Sequence, residues 1–175
     1  RENEGDLVLP AQMATPEAIN FMLTVARGYM CLSLTGADCD RLDLPPQVAV
    51  NTSMRGTAMT VSIDGHPRHG VGTGISASDR AKTVQIVVDP KSRPDDLVRP
   101  GHMVPLRARD GGVLVRTGQT EGSVDLVRLA GLRPAAVISE VCRDDGEMAR
   151  MPELENICAQ HSLKMCSVEQ IINYR

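Results

Sequence analysis

Apolar residues recur along the chain in patterns that predict a mixture of strands and helices. The short apolar runs at residues 7–9 and 29–34 predict strands. Residues 135–141 are apolar almost throughout, which predicts a central strand covered on both faces. Residues 57–64 alternate, as a half-buried strand does. Further strands are predicted at residues 84–89, 104–109, 113–116 and 164–167.

Helices are predicted where a capping residue precedes apolar positions at helical spacing. Thr15 followed by Pro16 predicts a helix start, and Gly28 can end that helix. Ser76 begins a second helix by the same reasoning. Ser167 with Gln170 forms a capping box for the last one. The remaining helices are predicted after residue 121, where Gly131 ends the pattern, and at residues 152–161.

The segments between these elements contain glycine and proline, which favour turns, and they are predicted to be loops. Residues 38–46 and 93–101 are predicted to be loops, and Asp110-Gly111-Gly112 a hairpin turn. Strands and helices therefore alternate without a repeat or a linker. The fold class predicted is α/β (α+β), a single domain over residues 1–175 with a mixed sheet flanked by helices.

Composition excludes several classes of protein. Only 2% of the 175 residues are aromatic and the net charge is −3, which argues against a nucleic-acid partner. No apolar run approaches the roughly 20 residues of a membrane span, so no membrane association is expected. The five cysteines are odd in number and form no C-x-x-C pair, which favours a reducing, cytoplasmic location.

The first six residues are dense in charge. Glu2, Glu4 and Asp6 repel one another and require a nearby cation, and Arg1 could contact an anionic substrate. The run is therefore a candidate site for a hard cation such as Mg²⁺. The alternative is a solvated, polar chain start.

A second candidate site is the strand-to-helix turn Arg116-Thr117-Gly118-Gln119-Thr120. Free amides at a helix N-terminus, a glycine, a hydroxyl and an arginine together can hold a phosphate group. The alternative is an ordinary capped helix start, and from the residues alone the two are equally plausible.

Three single residues add candidate chemistry. Glu140 lies within an apolar run, where a carboxylate is costly to bury unless it is paired. His102 follows a Pro-Gly turn, where its side chain can face a cleft or simply the solvent. Cys31 lies in a short apolar run, and before any family argument it is more often a small core residue than a site residue.

Five motifs are spread along the whole chain: Arg1-Glu2-Asn3-Glu4-Gly5-Asp6, Cys39-Asp40-Arg41-Leu42-Asp43-Leu44-Pro45, Gly72-Thr73-Gly74-Ile75-Ser76-Ala77-Ser78-Asp79-Arg80, Arg99-Pro100-Gly101-His102 and Val124-Asp125-Leu126. Together they resemble 3,4-dihydroxy-2-butanone-4-phosphate synthase. That family converts D-ribulose 5-phosphate into L-3,4-dihydroxy-2-butanone 4-phosphate and formate, with Mg²⁺, on the way to riboflavin. The resemblance also implies a homodimeric α/β fold, with Mn²⁺ as an alternative metal.

The resemblance assigns roles to individual residues. It implies that Glu2 and Gln119 bind the metal and that His102 and Glu140 transfer protons. The residues implied to contact substrate are Arg1, Glu2, Asp6, Cys31, Arg116, Thr117, Gly118, Gln119 and Thr120. Glu4 and Glu121 fall on further site positions.

Gln119 departs from the family pattern. The family has Gly-His-Thr-Glu where this chain has Gly118-Gln119-Thr120-Glu121, and that histidine is a metal ligand. Glutamine offers a neutral carbonyl oxygen that suits Mg²⁺ but cannot titrate. Two hypotheses follow: a working synthase, or an impaired synthase-like module with a structural or dimerisation role. The first strand of the family is expected to be missing, and a fused GTP cyclohydrolase II domain is expected in the parent protein.

Overall fold

The computed structural model describes residues 3–175 and consists of a mixed sheet with helices on both faces. The strands are β1 (Asp6–Pro10), β2 (Cys31–Leu34), β3 (Ile63–Gly65), β4 (Leu97–Arg107) and β5 (Ala136–Glu140). They form one sheet in the order β1-β5-β2-β4-β3. Neighbouring strands are antiparallel except for β2 and β4, which run parallel. The predicted α/β class with a mixed sheet is confirmed.

The helices are α1 (Pro16–Val25), α2 (Gly36–Arg41), α3 (Ala77–Val88), α4 (Gln119–Leu129), α5 (Met151–His161) and α6 (Val168–Tyr174). Alternation along the strands divides the core between the two faces of the sheet. Leu32, Leu34 and Val137 lie in one buried cluster with residues of α1 and α3. Cys31, Ala136 and Ile138 lie in a second cluster with Val127 of α4.

The predicted caps hold the ends of three helices. Thr15 Oγ1 accepts a hydrogen bond from the backbone nitrogen of Ala18, and Ser76 Oγ accepts one from Asp79. Ser167 and Gln170 exchange the two bonds of a capping box. These contacts satisfy backbone donors that have no partner inside the helix, so local sequence sets these boundaries.

Two helices replace segments for which other structure was predicted. Residues 38–41, predicted as loop, belong to α2, because Thr35 caps that helix by accepting from the backbone nitrogen of Asp38. Residues 84–88, predicted as strand, complete α3. Val84, Val87 and Val88 are spaced for one helical face and are buried in the core, and this burial outweighs their preference for strands.

Other predicted boundaries were wrong as well. The strand β4 begins at Leu97, inside a predicted loop, and includes His102, so this histidine lies on a strand and not on a turn. Residues 112–114 form a 3-10 helix in place of a hairpin strand, and the backbone nitrogen of Val113 donates to buried Asp125.

Two further predicted strands also differ from the structure. Of residues 57–64, only Ile63 and Asp64 are in a strand, and Met59 and Thr60 make single bridges. Residues 164–167 are exposed and form no strand. Within residues 3–175, none of the helices combines the length and the apolar character needed to cross a membrane.

Candidate active site

Three candidate site residues meet at one end of the sheet. Asp6 is the antiparallel partner of Glu140, and Cys31 pairs with Ile138, two positions before Glu140. Burial, together with the negative charges of Glu140 and Asp6, raises the pKa of the Cys31 thiol to about 12. Cys31 is therefore a neutral thiol beside two carboxylates, which places it at the site and in the core at once.

Glu140 lies at the end of β5 and is half-buried rather than fully buried as predicted. Its Oε2 accepts a hydrogen bond of 3.2 Å from the backbone nitrogen of Tyr29. Gly28 allows this close approach, because a Cβ at that position would overlap the carbonyl group of Glu140. The carboxylate is thus held at the sheet edge while it remains partly open to solvent.

The N-terminus of α4 approaches the opening run of the chain. Gln119 is the first residue of the helix, and its Nε2 donates to the carbonyl oxygen of Glu4 at 3.3 Å. The helix also lies against β1, β2 and β5. Gln119 therefore lies beside the opening run, although more than a hundred residues separate the two in the sequence.

The opening run is anchored on its other side by α5. Arg150, the N-cap of α5, donates from Nη1 to Asn3 Oδ1 at 2.7 Å and lies 3.7 Å from Glu4 Oε1. The backbone of Gly5 accepts from Val141 at 2.9 Å. Arg1 and Glu2, predicted to bind substrate and metal, lie outside the described residues.

The turn before α4 is organised by an ion pair between half-buried Arg116 and buried Glu121. Arg116 Nη1 lies 2.6 Å from Glu121 Oε2, and Glu121 Oε1 accepts from the backbone nitrogen of Arg109 at 2.9 Å. Gly118 is buried under this pair, since a Cβ there would overlap the guanidinium of Arg116. Thr120 is buried in the first turn of α4, while Thr117 is exposed. The phosphate cradle remains a prediction, with Arg116 held in place beside free helix amides.

His102 approaches the same face of the sheet from β4. Cys31 pairs with Val104, and alternation from Val104 places His102 on the face of Cys31. The ring Nδ1 lies 2.7 Å from Asp64 Oδ2, and the His102 backbone nitrogen donates to Asp64 Oδ1 at 2.9 Å. The His102 side chain is 44% exposed, so the ring is accessible to a small molecule.

Sequence reasoning missed three residues that shape this region. Asp64, Tyr29 and Arg150 were not candidates, although they contact His102, Glu140 and the opening run respectively. Their partners are 38, 111 and 147 positions away in sequence, so local pattern carried no signal for these contacts. Asp64 alone had a weak signal, a carboxylate at the end of a run predicted as half-buried strand.

An oxygen donor in the described part of the site suits a hard cation. With its Nε2 donating to Glu4, the Gln119 side chain retains a carbonyl oxygen, a ligand type that Mg²⁺ accepts. Among residues 3–175, no three histidine, cysteine, aspartate or glutamate side chains converge on a common metal position.

Comparison with known proteins gives a consistent match. The family model described as 3,4-dihydroxy-2-butanone 4-phosphate synthase matches residues 1–174. The riboflavin biosynthesis protein RibBA of Salinispora tropica is 57% identical over 175 residues, all of this chain and 43% of the relative. The 3,4-dihydroxy-2-butanone 4-phosphate synthase of Neisseria meningitidis is 53% identical over 175 residues, all of this chain and 48% of the relative.

Solved structures agree with this match. RibBX of A. baumannii, a two-domain 3,4-dihydroxy-2-butanone 4-phosphate synthase, superposes with a TM-score of 0.95 at 46% identity, covering 100% of this chain and 51% of that one. A 3,4-dihydroxy-2-butanone 4-phosphate synthase in complex with two magnesium ions gives a TM-score of 0.94 at 42% identity, with 99% and 85% covered. The chain spans about half the length of the curated relatives it matches, or less.

Proposed function

This chain belongs to the 3,4-dihydroxy-2-butanone 4-phosphate synthase family, and from that premise we propose that it converts D-ribulose 5-phosphate into L-3,4-dihydroxy-2-butanone 4-phosphate and formate for riboflavin biosynthesis. The observation that carries the proposal is the meeting of Asp6, Cys31 and Glu140 at one end of the sheet. These residues come from three separate segments of the chain, and the resemblance had assigned all of them to one site.

The proposed roles follow from the surroundings of each group. His102 and Glu140 carry the proton transfers, because both are titratable, both are partly exposed, and each is oriented by hydrogen bonds. Asp6 and Cys31 contact the substrate, and Arg1 and Glu2 are assigned the same role by the resemblance. Arg116 supplies the positive charge for the phosphate, beside Thr117, Gly118, Gln119 and Thr120.

Each proton transfer can be assigned a group of suitable chemistry. Enolisation of a ketose phosphate requires removal of a proton beside the carbonyl, and the later loss of water requires protonation of a leaving hydroxyl. Glu140 as a carboxylate can accept the first proton. His102 can donate the second when it is protonated, and its ring Nδ1 lies 2.7 Å from Asp64 Oδ2. Neutral Cys31 contributes shape and no charge.

Glu2 and Gln119 would hold Mg²⁺, and Mn²⁺ is the alternative ion. A divalent cation supplies polarisation of a substrate oxygen, which makes the neighbouring proton more acidic. Gln119 suits this role through its carbonyl oxygen, while its amide nitrogen is oriented by the backbone of Glu4. The same amide cannot act as an acid or base, so the proton transfers fall to His102 and Glu140.

The deciding experiment is formate release from D-ribulose 5-phosphate with Mg²⁺, measured for this chain and for Gln119→His. Formate from both proteins is the expected result. No formate from either protein would overturn the enzyme assignment. Activity confined to Gln119→His would instead identify the chain as the impaired module. Chelation with EDTA followed by Mg²⁺ addition tests the metal in the same assay.

We also propose a homodimer, a fused GTP cyclohydrolase II domain in the parent protein and a cytoplasmic location. The greater length of the relatives supports a further domain. The cysteines of the described chain are all free, which suits a reducing compartment.

Sedimentation analysis tests the proposed homodimer, and a monomer at micromolar concentration would contradict it.

A further inference from the structure

His102 is held from two directions by one carboxylate. Asp64 Oδ2 lies 2.7 Å from the ring Nδ1, and Asp64 Oδ1 accepts from the His102 backbone nitrogen at 2.9 Å. The Asp64 side chain is only 8% exposed, while that of His102 is 44% exposed. The carboxylate is therefore the fixed, buried member of the pair, and the imidazole is the accessible one.

We propose that Asp64 is a positioning residue that fixes the tautomer of His102, with the proton on Nδ1 and Nε2 left as the nitrogen that exchanges protons with the substrate. The proposal rests on the proposed function, because it assumes that His102 transfers protons there. A carboxylate only accepts hydrogen bonds, so a neutral ring 2.7 Å away must present N–H at Nδ1.

Both oxygens of Asp64 are needed for this arrangement. The backbone nitrogen of His102 is always a donor and requires one oxygen, and Nδ1–H requires the other. An asparagine has one oxygen and one NH₂ group. Once its oxygen accepts from the backbone, its NH₂ faces Nδ1, which must then lose its proton and accept. Asp64→Asn therefore moves the ring proton to Nε2.

A glycine-containing loop packs directly on this carboxylate. Gly74 has a φ of +89°, and a Cβ at this position would overlap the carboxylate of Asp64. Asp79 holds the loop down by accepting from the backbone nitrogens of Gly72 and Gly74, each at 3.1 Å. The loop thus covers Asp64 and fixes the direction of its carboxylate.

The test combines nuclear magnetic resonance with kinetics. The ¹⁵N shifts of His102, assigned by their loss in His102→Gln, report which ring nitrogen is protonated at a pH where the ring is neutral. We expect Nδ1–H in the natural chain and Nε2–H in Asp64→Asn. We also expect kcat for formate release to fall at least about 100-fold, with KM changed by less than about threefold. An unchanged tautomer, or an unchanged kcat, would overturn the proposal.

The control is a matched pair outside the site. His69 Nε2 lies 2.7 Å from Asp96 Oδ1, a histidine–aspartate contact of the same length made through the other ring nitrogen. Asp96→Asn should leave the His102 shifts and formate release as they are. Gly74→Ala provides a second variant, which displaces the Asp64 carboxylate without removing it, and should lower kcat in the same direction. Equal losses of kcat in Asp96→Asn and Asp64→Asn would contradict a specific role for Asp64.

The two proposals fail in different ways. If the natural chain releases no formate, the proposed function is wrong, whatever the ring tautomer is. If formate is released and the His102 shifts do not respond to Asp64→Asn, the positioning role alone is wrong.

Discussion

Arg116 and Glu121 form an ion pair across the turn that precedes α4, with Arg116 Nη1 2.6 Å from Glu121 Oε2. The Glu121 side chain is 1% exposed, and its other oxygen accepts from the backbone of Arg109. One carboxylate therefore ties Arg116 and the backbone of Arg109 to the first turn of α4. The pair keeps Arg116 beside the α4 N-terminus, where the proposed phosphate site requires it.

We expect Arg116→Met to lower the free energy of unfolding by about 3–5 kcal/mol. The substitution leaves the Glu121 charge buried without its cation, and an uncompensated buried charge is more costly than the pair was favourable. Urea denaturation followed by circular dichroism measures the loss. If the variant releases formate at all, its KM for ribulose 5-phosphate should rise.

Arg128→Ala is the matched control for this substitution. Arg128 pairs with buried Asp125, but Asp125 also accepts from Arg175 and from the backbone of Val113. Because the carboxylate keeps these partners, we expect a loss below about 1 kcal/mol. Equal losses in the two variants would show that Arg116 is not the main partner of Glu121.

We expect Gly28→Ala to destabilise the chain by about 1–3 kcal/mol and to lower activity. The new Cβ would overlap the Glu140 backbone, so the segment that leads into β2 must move away from β5 where Glu140 is held. Gly122→Ala is the control, because Gly122 lies inside α4 and its nearest neighbour to a new Cβ is Val168 Cγ2 at 3.4 Å. Alanine at position 122 should be neutral or raise stability by up to about 1 kcal/mol. Wild-type stability in Gly28→Ala would contradict the close approach.

Cys31 should make the stability of the chain decrease in alkaline solution. Its pKa is raised from 9.0 to about 12 in the folded state, so the folded chain retains a proton that the unfolded chain loses. The stabilisation is complete below pH 9.0 and is lost as pH rises towards about 12. We expect the free energy of unfolding to fall more steeply with pH than in Cys31→Ala, by up to about 1.4 kcal/mol per pH unit. Parallel curves for the two reduced proteins would contradict this.

Arg150 should influence metal binding without touching the metal. It anchors Asn3 and Glu4, next to the proposed ligand Glu2. We expect Arg150→Ala to raise the Mg²⁺ concentration for half-maximal formate release about tenfold, because supporting contacts orient metal ligands. Arg143→Ala removes an exposed pair with Asp145 and should leave the Mg²⁺ requirement unchanged. The same Mg²⁺ requirement in both variants would exclude the anchoring role.

Local sequence predicted the elements whose ends are set by nearby residues. Thr15, Ser76 and Ser167 cap helices as their side chains predict, because a cap bonds to an amide three residues away. The central strand at residues 136–140 was equally readable from its apolar run. Residues 84–88 were wrongly predicted as a strand, because β-branched residues favour strands. Burial of these side chains in the core stabilises a helix there instead.

The fold class, the helix caps and the candidate residues were therefore predictable from sequence, since each depends on neighbouring residues or on a family motif. Which of these candidates lie together was visible only in the folded chain. The strand register placed Asp6 opposite Glu140, and the packing of α4 brought Gln119 to the backbone of Glu4. The folded chain also brings Asp64 into contact with His102, although the two residues are 38 positions apart in the sequence. Such contacts depend on how strands pair and helices pack, and local residue patterns do not encode that pairing.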